Sequence, residues 1–116
     1  MSLLRSRDNP RVRRWHALAH DGRARRSERS ALIEGSHLLA AYLDSGARPR
    51  AVLVSESGMS RADIAVLVQR SGIAPVTLPD ALFRWLADAA TPAGLAAEIE
   101  IPAPAPLPFP RPGFPP

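Results

Sequence analysis

The sequence predicts an α/β sandwich built on a small, mostly parallel sheet. Three observations carry that reading. Short apolar runs of strand length recur: Ala31-Leu32-Ile33, Ala51-Val52-Leu53-Val54, Ala74-Pro75-Val76-Thr77-Leu78, and Leu95 to Ile101. Segments with apolar residues at helical spacing separate them. The two kinds of segment alternate along the chain, as they do where helices cover a largely parallel sheet.

The first helix starts at Asp8-Asn9-Pro10. Asn9 suits the cap, and Pro10 suits the first helical position, where its missing N–H has no partner in any case. Val12, Trp15, Leu18 and Ala19 share one face, and the helix runs to about His20 before Asp21-Gly22 ends it. Arg23 to Arg29 reads as a basic connector into the strand Ala31–Ile33. Glu34-Gly35-Ser36 is a turn with Ser36 as the expected cap of a helix to Asp44, closed by Gly46. Ala51–Val54 is a continuous apolar run, which suits a strand buried on both faces. A helix from about Ser60 to Ser71 carries Ile64, Leu67 and Val68 and ends at Gly72. The third strand, 74–78, leads through Pro79-Asp80 into a helix with Leu82, Phe83 and Leu86. Thr91-Pro92-Ala93-Gly94 is a tight turn into the last strand.

With 116 residues the chain has room for one domain. Residues 1–101 form it, and 102–116, where proline alternates with Ala, Leu or Phe, read as a stiff polyproline-type linker. About 100 residues bury roughly two thirds of the surface of their unfolded chain. The absence of cysteine excludes disulfides, thiolate catalysis and cysteine-based zinc sites. No apolar run approaches the ~20 residues of a membrane span. No apolar stretch follows Arg5 and Arg7, so the start is not a secretory signal. An Arg-rich, acid-poor start also suits a transit peptide; the plainer reading is a cytoplasmic protein.

Charge is unevenly spread. Residues 1–30 hold nine arginines against Asp8, Asp21 and Glu28, a net of +6; the remainder holds six arginines against eight acids, a net of −2. The overall +4 therefore comes from the first quarter of the chain. A one-sided basic segment is the electrostatic footprint of a polyanion binder. Arginine pairs phosphate oxygens bidentately and stacks on exposed bases. The candidate RNA-binding residues are Arg7, Arg11, Arg13, Arg14, Arg23, Arg25, Arg26 and Arg29. Arg13 and Arg14 leave their helix away from the apolar stripe, so both are expected to be free. The competing reading is a solvated helix face and a charged loop.

Catalytic constellations are weak. His16 and His20 stand four apart on a helix, a spacing that can bind metal, but no third ligand accompanies them. Glu34, Ser36 and His37 are sequence neighbours, whereas a triad needs convergence from different elements. Neither a P-loop nor a dinucleotide-type glycine loop is present. Trp15 is a conceivable stacking platform, but its spacing with Val12 and Leu18 places it in the core. No catalytic, cofactor-binding or metal residue is assigned.

The series Ser6-Arg7-Asp8-Asn9-Pro10-Arg11-Val12, then an Arg-rich connector, then Leu32-Ile33-Glu34-Gly35 before an amphipathic helix, resembles the start of SpoU/TrmH-type RNA 2′-O-ribose methyltransferases. Val52-Leu53-Val54-Ser55, Val76-Thr77-Leu78 before Leu82-Phe83, and Thr91-Pro92-Ala93-Gly94-Leu95-Ala96-Ala97 extend the likeness over residues 5–101. Asn9, Glu34 and Gly35 are its family-motif turn positions. The resemblance implies a three-layer α/β/α sandwich like that of kink-turn-binding ribosomal proteins, serving as the substrate-binding domain. It also implies a catalytic domain after the proline-rich segment, which binds S-adenosylmethionine and makes the full-length protein a homodimer. The motifs of that domain have no counterpart here. The expected function is recognition of ribosomal or transfer RNA, with no activity or cofactor in this chain alone. The alternatives are a protein–protein docking or dimerisation module with a solvated basic surface, and a stand-alone enzyme.

Overall fold

The computed structural model describes residues 2–87 and 93–102. It opens with a strand too short to leave a sequence pattern, β1 (Ser2–Leu3). Asn9 then starts α1 (Pro10–His20) as expected. Its Oδ1 accepts from the N–H groups of Arg11 at 2.9 Å and Val12 at 3.4 Å. The helix lays Val12, Trp15 and Leu18 on the sheet.

The basic stretch that follows is not a connector but a helix, α2 (Gly22–Glu28). Asp21 caps it, accepting from the Arg23 N–H at 2.9 Å, and alanine and arginine are good helix formers. Arg29 ends it in the left-handed region at φ 52°. Because α2 buries none of its residues, no apolar periodicity could mark it.

Strand β2 (Ser30–Glu34), α3 (Ser36–Asp44), β3 (Ala51–Ser55), α4 (Ala62–Ser71), β4 (Val76–Leu78), α5 (Asp80–Leu86) and β5 (Leu95–Glu100) follow in the expected order. The cap of α3 is Gly35, at φ 98°, and Ser36 is the first helical residue. A 3-10 turn, Ser57–Ser60, precedes α4. Thr91 and Pro92 of the expected turn lie outside the described residues, as does the expected linker beyond Pro102.

The strands are ordered β1-β4-β3-β5-β2. β4 pairs in parallel with β1 and β3, whereas β5 runs antiparallel to both β3 and β2. The sheet is therefore mixed rather than mostly parallel. The reason is where the chain re-enters it. The Ser55 N–H, at the C-terminal end of β3, donates to the Gly94 carbonyl at 3.0 Å, so β5 enters from that end and runs back along β3. Apolar alternation reports which residues are buried but not the direction of the strand.

The period of two along the strands divides the core into two layers. Leu53, Val76, Leu78 and Ala96 face α1 and α5, where they meet Trp15, Leu18, Phe83 and Leu86. Val52, Val54, Leu95 and Ala97 face α3 and α4, where they meet Leu39, Ile64 and Leu67. This is the three-layer arrangement. No described helix is long and apolar enough to cross a membrane.

The joint between β3 and β5 is a close backbone approach. A Cβ on Gly58 would stand 2.7 Å from the Gly94 carbonyl oxygen, and Gly94 itself sits at φ 82°. Gly58→Ala is expected to cost about 1–3 kcal/mol through overpacking. That lowers Tm by roughly 5–15 °C in a domain of this size. A melting curve unchanged from wild type would show that the joint yields freely.

Candidate nucleic-acid interface

Alternation along β5 places Glu98 on the same side as Ala96, beneath α1. A carboxylate is thus carried onto an apolar face, where it must be paired. α1 supplies the partners from consecutive positions. Arg14 grips the carboxylate with both ends of its fork, Nη1 to Oε1 at 2.8 Å and Nη2 to Oε2 at 2.7 Å. Trp15 Nε1 donates to Oε1 at 3.0 Å. Ser30 of β2, fully buried, donates to the same carboxylate and accepts from Arg50. The Nε of Arg14 reaches Glu28 at the end of α2. One carboxylate therefore joins α1, β2 and β5, and Arg14 extends the knot to α2.

The charges respond as this geometry requires. Burial alone would push the Glu98 carboxyl up, but the hydrogen bonds from Arg14, Trp15 and Ser30 and the charge of Arg14 together hold it below its ordinary value. The hydrogen bond to Glu98 does the most to raise the Arg14 guanidinium above its ordinary value.

This separates the eight sequence-selected arginines into two groups. Arg14 is an internal partner, not a free cation, which corrects the expectation that it leaves the helix unencumbered. Arg25 is half-buried, and its Nη1 donates to the carbonyls of Leu18 at 2.8 Å and Ala19 at 3.3 Å, capping the C-terminal end of α1. Arg7, Arg11, Arg13, Arg23, Arg26 and Arg29 are exposed. Arg11 lies over Trp15, 5.1 Å from the ring centroid, and Trp15 itself is 2% exposed and belongs to the core. The exposed set spans the loop before α1, its outer side, and α2.

The three motif-turn residues act in the fold. Asn9 caps α1. Glu34 is half-buried on β2, opposite Ala96 of β5. The Gly35 N–H donates to the Leu95 carbonyl at 2.9 Å, and its own carbonyl accepts from Leu39 at 3.2 Å. His16 and His20 lie ring to ring with centroids 4.3 Å apart. Glu98 was missed by the sequence reading. Alternation over Leu95 to Glu100 groups it with Ala96 and Glu100 on what reads as the polar side of the strand, and it is α1, lying over that side, that buries it.

Removing one partner of a buried ion pair costs about 3–5 kcal/mol. Arg14 is 36% exposed, so Arg14→Ala is expected nearer to about 2 kcal/mol after solvent screening. Arg13→Ala, on the outer side, should cost under about 0.5 kcal/mol. A carboxyl held lower when folded than when unfolded stabilises the fold above its unfolded pKa, and that stability is lost as pH falls through its folded value. Wild-type stability should therefore decline on acidification through the carboxylate range, and Arg14→Ala should decline less. Urea denaturation across pH measures both. Equal acid limbs in the two proteins would remove Glu98 from this account.

Comparison with known proteins places the chain. The crystal structure of an RNA 2′-O ribose methyltransferase superposes with a TM-score of 0.77 at 27% identity, covering 96% of this chain and 42% of that one. The rRNA methyltransferase from Sinorhizobium meliloti gives 0.65 at 19% identity, covering 85% and 36%. The SpoU methyltransferase AviRb from Streptomyces viridochromogenes, in complex with the cofactor AdoMet, gives 0.68 at 19%, covering 82% and 34%. The chain thus spans less than half the length of each. No curated protein matches it. The family model that describes the MRM3-like substrate binding domain matches residues 9–97, from the cap of α1 into β5, and the chain belongs to that family.

Proposed function

We propose that this chain recognises RNA for an S-adenosylmethionine-dependent 2′-O-ribose methyltransferase, and that its exposed arginines on and around α1 and α2 contact phosphates. The observation that carries the reading is the coincidence of a substrate-binding family with a cationic surface that the fold does not consume. Arg11, Arg13, Arg23, Arg26 and Arg29 are exposed, while Arg14 and Arg25 of the same segment are engaged within the fold. The sequence resemblance, which implies a sandwich like that of kink-turn-binding ribosomal proteins, favours a structured ribosomal or transfer RNA as the target. The full-length protein is taken to be cytoplasmic and a dimer through its catalytic domain.

The cofactor belongs elsewhere in this scheme. The glycines at the C-terminal end of β3 do not fit a nucleoside cradle, because protein fills the space beside them: a Cβ on Gly58 would meet Gly94 and the Ser55 hydroxyl. Calorimetry with this chain should detect no S-adenosylmethionine binding. Micromolar affinity would overturn that assignment.

A second role is favoured by a separate observation. Leu38 of α3 and Val66 of α4 are 55% and 56% exposed. These large apolar side chains sit on the layer away from α1 and suit protein docking by that layer.

Phosphate contacts release counterions, so affinity should fall with salt. With roughly four contacts to an irregular RNA, at about 0.7 per phosphate, the slope of log K against log salt should be near −3. Replacing Arg13, Arg23 and Arg26 by alanine should weaken every RNA tested and flatten the slope by about 2. Folding should be little affected, because these side chains are exposed. Equal slopes for wild type and variant would return the basic surface to plain solvation and leave docking as the better reading.

A further inference from the structure

Residues 14 and 16 are separated by about 200° around α1. Arg14 faces Glu98, and His16 faces the opposite flank, against α5. There its imidazole lies parallel to the Trp85 indole, with centroids 4.1 Å apart and planes 15° from each other. His20, one turn on, adds its ring next to His16, with its Nε2 3.0 Å from the Leu86 carbonyl oxygen. Arg7, from the segment before α1, holds its guanidinium carbon 4.8 Å from the Trp85 centroid. The inward positions of α5 are Leu82, Phe83 and Leu86, so Trp85 packs at the core's margin and stays partly exposed.

We propose that Trp85, flanked by Arg7 and His16, is a stacking site for one unpaired nucleobase of the RNA, with Arg7 moving from the ring to the adjacent phosphate. The proposal rests on the RNA-binding reading and adds to it a contact that is not electrostatic. Three features support it. A guanidinium is a planar cation that covers an aromatic face much as a base does. Arg7 is exposed and, among the described residues, has no carboxylate partner, so its displacement strands no buried charge. A nucleotide brings its own phosphate, which gives the displaced guanidinium a bidentate partner. His16 can remain stacked without repelling Arg7, since burial first, and then the charges of His20 and Arg7, hold its imidazole below its ordinary value. Stacking of this kind tolerates any base, because every base has a π-face.

The test uses the native chain. It has two tryptophans, hence two indole N–H resonances. That of Trp15 is buried and hydrogen-bonded to Glu98, so the other reports Trp85. Oligoadenylate should shift the Trp85 resonance and leave that of Trp15 in place. An abasic ribose-phosphate oligomer of equal length should shift neither. Oligoadenylate should also bind on the order of tenfold more tightly than the abasic oligomer. That ratio should fall to near one in Trp85→Leu and largely persist in Trp85→Phe. Arg23→Ala should lower both affinities and keep the ratio. Equal binding of both oligomers to wild type, with the salt slope intact, overturns the stacking site and leaves the RNA reading standing. No binding of either oligomer overturns both. The native titration decides the matter even where Trp85→Leu does not fold.

Discussion

The Glu98 carboxylate is the constraint around which the α1 side of this domain is arranged. Strand β5 has to pass between β2 and β3, and its alternation delivers an acid to the apolar face. A buried carboxylate left alone would neutralise or destabilise the fold. Here two consecutive residues of α1 and one serine of β2 meet it, and the fork geometry of arginine fixes the helix in both position and rotation. Apolar packing alone allows a helix to slide or turn on a sheet with little change in buried area. A bidentate contact with a strand does not. The orientation of α1, and with it the direction in which Arg13 and His16 point, follows from this pair.

The same pair explains why a basic segment is not a uniform surface. Net charge treats every arginine in residues 1–30 alike. The structure assigns one to Glu98, one to the carbonyl end of α1, and leaves the others outward. Arg25 satisfies carbonyls that a helix end leaves without partners, and adds a favourable charge at the negative end of the helix dipole. These two hold the segment in a shape that lets the remaining cations act together, because α1 and α2 are fixed to each other through Arg14 and Glu28.

Where the sequence was readable, a local physical signal was strong. The Asn9-Pro10 cap, the Leu82–Phe83–Leu86 stripe and the Ala51–Val54 run each carry a pattern that solvent exclusion or capping enforces. Where it was not, the deciding contact is long-range or absent. α2 buries nothing, so only the Asp21 cap could have announced it. The direction of β5 depends on where the chain rejoins β3, about forty residues later in sequence, and no alternation encodes that. The expectation that Arg14 is free failed because its partner lies 84 residues away. On the helix alone it points off the apolar stripe, which is correct. What the stripe could not reveal is that a strand places an acid at that flank.

α1 therefore divides its sides among an ion pair, a ring contact and solvent, and their separation around the helix keeps the three from competing. One flank is fixed by an ion pair to β5. The other is fixed by ring contact with α5. The outer side, with Arg13, makes no demand on the fold. An ion pair at the outer side would neutralise the cations a phosphate needs. A free arginine at the inner flank would leave Glu98 buried without its charge partner. Placing the obligatory pairing inward and the aromatic contact sideways leaves the outer cations exposed and Trp85 partly exposed under Arg7, and cations and π-faces are what proteins use to hold single-stranded nucleic acid. The order of residues Arg13, Arg14, Trp15, His16 already contains that division: each successive residue turns about 100°, so Arg13 faces solvent, Arg14 and Trp15 reach Glu98 from adjoining sides, and His16 meets Trp85.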